Sequence, residues 1–227
     1  MIPLKCESER SGVPIATLLT VVICVTVHLG STSLRETGSM FTPAGLMRTL
    51  VNPQSGWEQI LPALVLSIFT HASLMHLVTN MWFLLLFGTA FEQTTGSITF
   101  AVTYLLCGVT SMLVQAFSTP YSGIPIVGAS GAIAGIMGAL LVLRPLCRTV
   151  VWIPLFFFIR IPAFLFFAIW IAMQYLGLRR EILPGSAGVA WWAHIGGFFT
   201  GFVLAIEIRR RLWLTVRKRT RRHTKEH

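Results

Sequence analysis

The chain has 227 residues, 54% of them hydrophobic and only 11% charged, too little polar surface to cover a soluble globule of that size. A net charge of +10 raises nucleic acid as a partner, but nine of the 18 Lys and Arg residues fall after Ile208, which is how membrane topology is marked. Composition therefore predicts an all-α, multi-pass membrane protein with no nucleic-acid partner.

Residues 1–12 read as a short cytoplasmic N-terminus. The first apolar segment, Val13 to Leu29, follows a leader containing Lys5 and Arg10 that superficially resembles a signal peptide. Its length, and the lack of a small-x-small exit before Arg35, predict a retained helix. The loop from Gly30 to Gln59 contains Pro43, Pro53 and Gly56 and is expected along the interface, with Trp57 as a headgroup-level anchor.

Further spans are expected at Leu74 to Phe91, Ile98 to Phe117, Ser130 to Leu143, Pro162 to Leu178 and Val189 to Ile208, which brings the count to six. The apolar run from Ile60 to Ala90 is too long for one straight span and should split into an interfacial or re-entrant piece and a true span. Arg160 and Pro162 should divide the run from Val150 to Leu176. The Gly-, Ser- and Pro-rich stretch Ser118 to Ala129 must line a cavity or be buried in protein, because lipid cannot satisfy irregular backbone. Residues 13–208 thus form one integral domain and 209–227 a basic tail, a topology anchor that also offers charge to anionic lipid.

Lys5, Arg10, Arg144, Arg148 and Arg160 join the tail on one side if both termini are cytoplasmic, against Arg35, Arg48, Arg179 and Arg180 opposite. Cys6, Cys24, Cys107 and Cys147 fall in spans or cytoplasmic segments, so no disulfide is expected.

The chemistry concentrates at one depth. Ser130 lies 14 residues before Arg144, and His194 lies 15 before Arg209, which puts both about 21–22 Å above the inner face at the helical rise. His76 and Asn80 precede Glu92 by 16 and 12 residues, at about 24 and 18 Å, bracketing the same plane. They are also an i, i+4 pair on one helix face. Small residues suggest which helices touch: Ser130, Ala134 and Gly138, flanked by Gly131 and Gly135, on one segment, and His194, Gly197 and Gly201 on another.

A serine becomes a competent nucleophile when a base within hydrogen-bond reach takes its proton. His194 is the candidate base and Ser130 the candidate nucleophile. The chain contains no aspartate, and none of its eight glutamates lies in a span at this depth, so the site is expected to be a Ser-His dyad with His194 positioned by packing. Asn80, His76 and the Ser130 backbone N–H are the candidate oxyanion donors.

The missing aspartates also remove an aspartyl protease, and no HExxH motif is present. His71 and His76 lack a clear third metal ligand, and no repeat supports an inverted-repeat transporter. Neither a metal nor another cofactor is expected. Taken singly, His76 and Asn80 also read as interhelical hydrogen-bonding glue, Ser130 as a helix cap and His194 as a packed polar residue. Four costly intramembrane polar groups at one level favour function. His71 reads as structural, His28 has no assigned role, and His223 and His227 belong to the tail.

Gly128-Ala129-Ser130-Gly131 resembles the GxSG motif of rhomboid intramembrane serine proteases. Ala193-His194-Ile195-Gly196, followed by Gly197 and Gly201, is similar to that family's histidine motif. His71, His76 and Asn80 match its HxxxxHxxxN signature, with Gly88 and Glu92 fitting the end of that helix. The resemblance runs from about Phe69 to Ala205 with three motifs in order.

It implies a six-helix bundle around a water-accessible cavity open to the outer side, with Ser130 as nucleophile, His194 as base, and His76 and Asn80 as oxyanion stabilisers. It also implies single-span transmembrane substrates entering past the fifth helix and cut near the outer leaflet, and the compact core suggests a bacterial inner membrane. The alternative within the family is a non-catalytic protein that binds transmembrane clients. The chain departs from the family pattern at Ala134, where some members carry the tyrosine on which the histidine stacks, and at Trp57-Glu58, where a Trp-Arg pair is common.

Overall fold

The computed structural model describes residues 2–6, 12–36, 40–52, 56–153, 157–181 and 189–223. In chain order these form β1 (Ile2–Cys6), α1 (Ile15–Glu36), α2 (Pro43–Val51), α3 (Trp57–Ser67) and α4 (Leu74–Phe83). A π-helical turn, Leu84–Gly88, then leads into α5 (Thr89–Thr95) and α6 (Ser97–Ser118). After these come α7 (Ser130–Leu143), β2 (Arg148–Ile153), β3 (Phe157–Pro162), α8 (Ala163–Glu181) and α9 (Trp191–His223).

Local chemistry sets several boundaries. Thr42 caps α2 through the Gly45 amide at 3.1 Å, with Pro43 at the first helical position. Ser73 caps α4 through the His76 amide at 3.2 Å. The run from Ile60 to Ala90 does split, into α3 and the rod formed by α4, the π turn and α5.

Among the described residues, three stretches are long and apolar enough to cross a membrane: Leu74–Thr95, Ser97–Ser118 and Trp191–Leu214. Ile15–Gly30, Ser130–Leu143 and Ala163–Arg179 are shorter apolar helices. Leu19, Val102 and Val203 are each more than half exposed, so the apolar surface faces outward as well as inward, as a lipid-facing bundle requires.

The centre of the bundle is α7. Every residue from Gly131 to Leu140 is buried, and α6 and α9 are its most extensive neighbours. Side chains Phe83, Phe87, Phe166 and Phe167 form a tilted aromatic cluster, with Phe87 and Phe167 centroids 5.3 Å apart, that packs α8 onto the π turn.

The expectation of an all-α chain needs correction. The protein is mostly helical, but β1, β2 and β3 form an antiparallel sheet in that order, with Pro3 opposite Val151 and Val150 opposite Arg160. The stretch Thr149-Val150-Val151-Trp152-Ile153 is made of β-branched and aromatic residues, which favour a pleated strand over a helix. Pro162 then ends β3, and α8 starts at the next residue.

Candidate active site

The irregular segment before α7 is tied down by its backbone. The Ile126 amide donates to the Phe41 carbonyl at 3.0 Å, Gly128 N to Ser67 O at 2.9 Å, and Ala44 N to Ser122 O at 3.0 Å. These bonds join it to α2 and α3, satisfying groups that lipid could not. Gly128 sits at φ +125°, open to glycine but strained for other residues, and a methyl group there would lie 2.8 Å from His76 Cε1 and 3.7 Å from Ser130 Oγ. This glycine therefore brings the His76 ring next to the serine.

Ser130 is the first residue of α7, and His194 lies in the first turn of α9. The two helices meet backbone to backbone. A methyl group on Gly197 would collide with the Gly131 carbonyl oxygen, one on Gly201 with the Gly135 carbonyl oxygen, and one on Gly138 with the Phe198 carbonyl oxygen. Gly131, Gly135 and Gly138 are thus the α7 glycines at this contact. At the top of this seam Ser130 Oγ lies 2.8 Å from His194 Nε2.

A cavity of about 620 Å³ opens over the pair, and His76, Asn80, Ser130, Gln174 and His194 all line it. Asn80 is buried, and its Nδ2 donates to the His76 carbonyl at 3.1 Å. The His71 ring meets His76 edge to face at 5.2 Å, while its Nδ1 donates to the Phe69 carbonyl at 3.1 Å. His28 is the outer neighbour in this row, with Nδ1 3.2 Å from the His71 carbonyl oxygen. The first intrahelical bond of α7 is Ile133 N to Ala129 O, so the amides of Ser130, Gly131 and Ala132 have no acceptor within their own helix. Among the described residues, no three His, Cys or acidic side chains group as metal ligands.

One expectation about His194 is corrected. It is not positioned by packing alone, because Gln174 Oε1 of α8 lies 2.7 Å from its Nδ1. Two aromatic rings also flank it: Trp170 of α8 and Trp191 of α9 have ring centroids 5.7 and 6.2 Å from it. A second buried glutamine, Gln115 of α6, accepts from the Ala193 amide at 3.2 Å and so holds the start of α9. Neither glutamine belongs to a motif. The available signal was their cost, since a lone amide in a membrane-length apolar helix needs a partner.

The rhomboid domain matches residues 56–211. The chain is 35% identical over 141 residues to RHOMBOID-like protein 6, mitochondrial, of Arabidopsis thaliana, covering 62% of this chain and 41% of that protein. It is 40% identical over 88 residues to the rhomboid protease GluP of Bacillus subtilis, covering 39% and 16%. It is 32% identical over 121 residues to the human presenilin-associated rhomboid-like protein, mitochondrial, covering 50% and 31%. The matched stretches span less than half the length of each of these relatives.

Proposed function

The chain belongs to the rhomboid family, and from that premise we propose that it is an intramembrane serine endopeptidase cutting single-span transmembrane substrates near the outer leaflet. The observation that carries this reading is the 2.8 Å approach of Ser130 Oγ to His194 Nε2 at the floor of an open cavity. A relative named as a rhomboid protease supports it.

In this reading Ser130 Oγ attacks the scissile carbonyl carbon while His194 Nε2 takes its proton. The carbonyl π pair moves onto oxygen, where His76, Asn80 and the Ser130 amide donate hydrogen bonds. Collapse of the tetrahedral species expels the amine, which receives the proton from the His194 imidazolium. Water then repeats the sequence on the acyl-enzyme and releases the acid. Gly128, Gly131, Gly197 and Gly201 serve by letting the site's backbones approach.

The six apolar helices cross the membrane in this reading, three of them as short spans. In this reading residues 13–208 form the protease core, and 209–227 form a basic tail on the cytoplasmic side with the N-terminus, offering charge to anionic lipid.

The test is cleavage of a single-span substrate by the purified protein in liposomes. Ser130→Ala and His194→Ala should each lower kcat by about 10⁴-fold or more. Undiminished cleavage by folded Ser130→Ala protein would refute the mechanism, and substrate binding without cleavage by wild type would favour the client-binding alternative.

A further inference from the structure

The histidine of the pair is gripped on its far side by a residue that no motif marks. Gln174 is buried on α8, and its Oε1 lies 2.7 Å from His194 Nδ1. Its Nε2 donates to the Trp170 carbonyl at 3.2 Å, one turn earlier on the same helix. That second bond fixes the sense of the amide, leaving the oxygen as the atom that meets the imidazole. An amide oxygen only accepts hydrogen bonds, so the ring proton belongs on Nδ1. The lone pair then stands on Nε2, facing the Ser130 hydroxyl at 2.8 Å.

We infer that Gln174 is the positioning residue that sets the tautomer and the tilt of His194, doing with a neutral amide what a carboxylate does in a Ser-His-Asp arrangement. The inference rests on the protease reading. A neutral acceptor suits this place, since a chain without aspartate orients its base without burying a second charge. It also makes α8 part of the base. Trp170 of the same helix covers the His194 ring, and Trp191 of α9 lies so close to Gly177 of α8 that a methyl group there would clash with its indole. The serine is therefore activated only while α8 stays seated against the start of α9.

The experiment uses the full chain in liposomes with ¹⁵N-labelled histidine, and reads both the His194 ring shifts and the rate at which a fluorophosphonate labels Ser130. Wild type should show a protonated Nδ1 and an unprotonated Nε2. Gln174→Met, which keeps the shape and removes the acceptor, should populate the Nε2-protonated form and slow labelling by about 10–100-fold. Gln174→Glu should restore the Nδ1-protonated form and recover most of the rate, a rescue that a purely structural role would not give.

An Nε2-protonated wild type would overturn the inference, as would a Gln174→Met protein with unchanged ring shifts and labelling. If Gln174→Met does not fold, Gln174→Leu supplies the acceptor-free comparison and is read by the same shifts and labelling rate. A wild type with the Nδ1-protonated ring that neither labels nor cleaves would refute the protease reading and leave the tautomer assignment standing.

Discussion

Gly197 on α9 faces the Gly131 carbonyl on α7 so closely that even a methyl side chain would overlap the oxygen. The colliding atom is backbone on a fully buried helix, so neither partner can yield by changing a rotamer. The contact also lies one turn below the Ser130–His194 hydrogen bond. Gly197→Ala should therefore destabilise the protein by about 1–3 kcal/mol and reduce cleavage further than the loss of folded protein explains. Thermal unfolding in detergent and kcat of the surviving folded fraction measure the two effects separately. A variant with wild-type Tm would show that α7 and α9 are not in backbone contact.

The carboxylate of Glu92, midway along α5, caps α1 from 75 residues away. It accepts from the Ala16 amide at 2.9 Å, from the Thr17 amide and hydroxyl at 2.7 Å each, and from Ser97 Oγ at 2.6 Å. All four partners donate, so a carboxylate fits where an amide would point its own N–H groups at other donors. Glu92→Ala should cost about 3 kcal/mol and Glu92→Gln nearly as much. Chemical unfolding of the purified variants tests this, and a Glu92→Gln protein as stable as wild type would show that the cap does not depend on charge.

The legible and illegible parts of this chain divide along a physical line. The apolar runs set the helices closely enough that α7 begins and ends at the expected Ser130 and Leu143, because in a membrane the hydrophobic stretch and the helix are nearly the same object. Ser130, His194, His76 and Asn80 line one cavity, and their common depth is legible from simple counting along helices of fixed rise. The sheet was missed because an apolar stretch such as 148–162 reads as membrane by hydropathy, whereas its strand character lies in its β-branched and aromatic composition. Gln174 and Trp170 were missed for a different reason. Their roles depend on how α8 is rotated against α9, which no residue count gives.

Gly128 holds a backbone conformation at φ +125° that an L-residue rarely adopts, with the His76 ring against its Cα. Gly128→Ala would strain this turn and push His76 away from the serine. The damage should fall on the oxyanion donors, with kcat reduced by about 10²–10³-fold and substrate KM changed much less. Steady-state kinetics on a transmembrane substrate provide the check. A loss confined to KM would mean that Gly128 shapes substrate entry and leaves the oxyanion site intact.

The tyrosine seen near the nucleophile in some rhomboids has no room in this chain. Ala134 is fully buried, while Trp170 and Trp191 already flank the His194 ring from the α8 side. Adding an aromatic at 134 therefore overfills a closed interior, and removing Trp170 uncovers the base. Ala134→Tyr should lower stability by about 1–3 kcal/mol without raising activity. Trp170→Ala should lower kcat, and the double variant should fail to recover it. A double variant that restored the kcat lost in Trp170→Ala would show that one ring serves as well from either helix, and that the α8 side is not where this histidine must be covered.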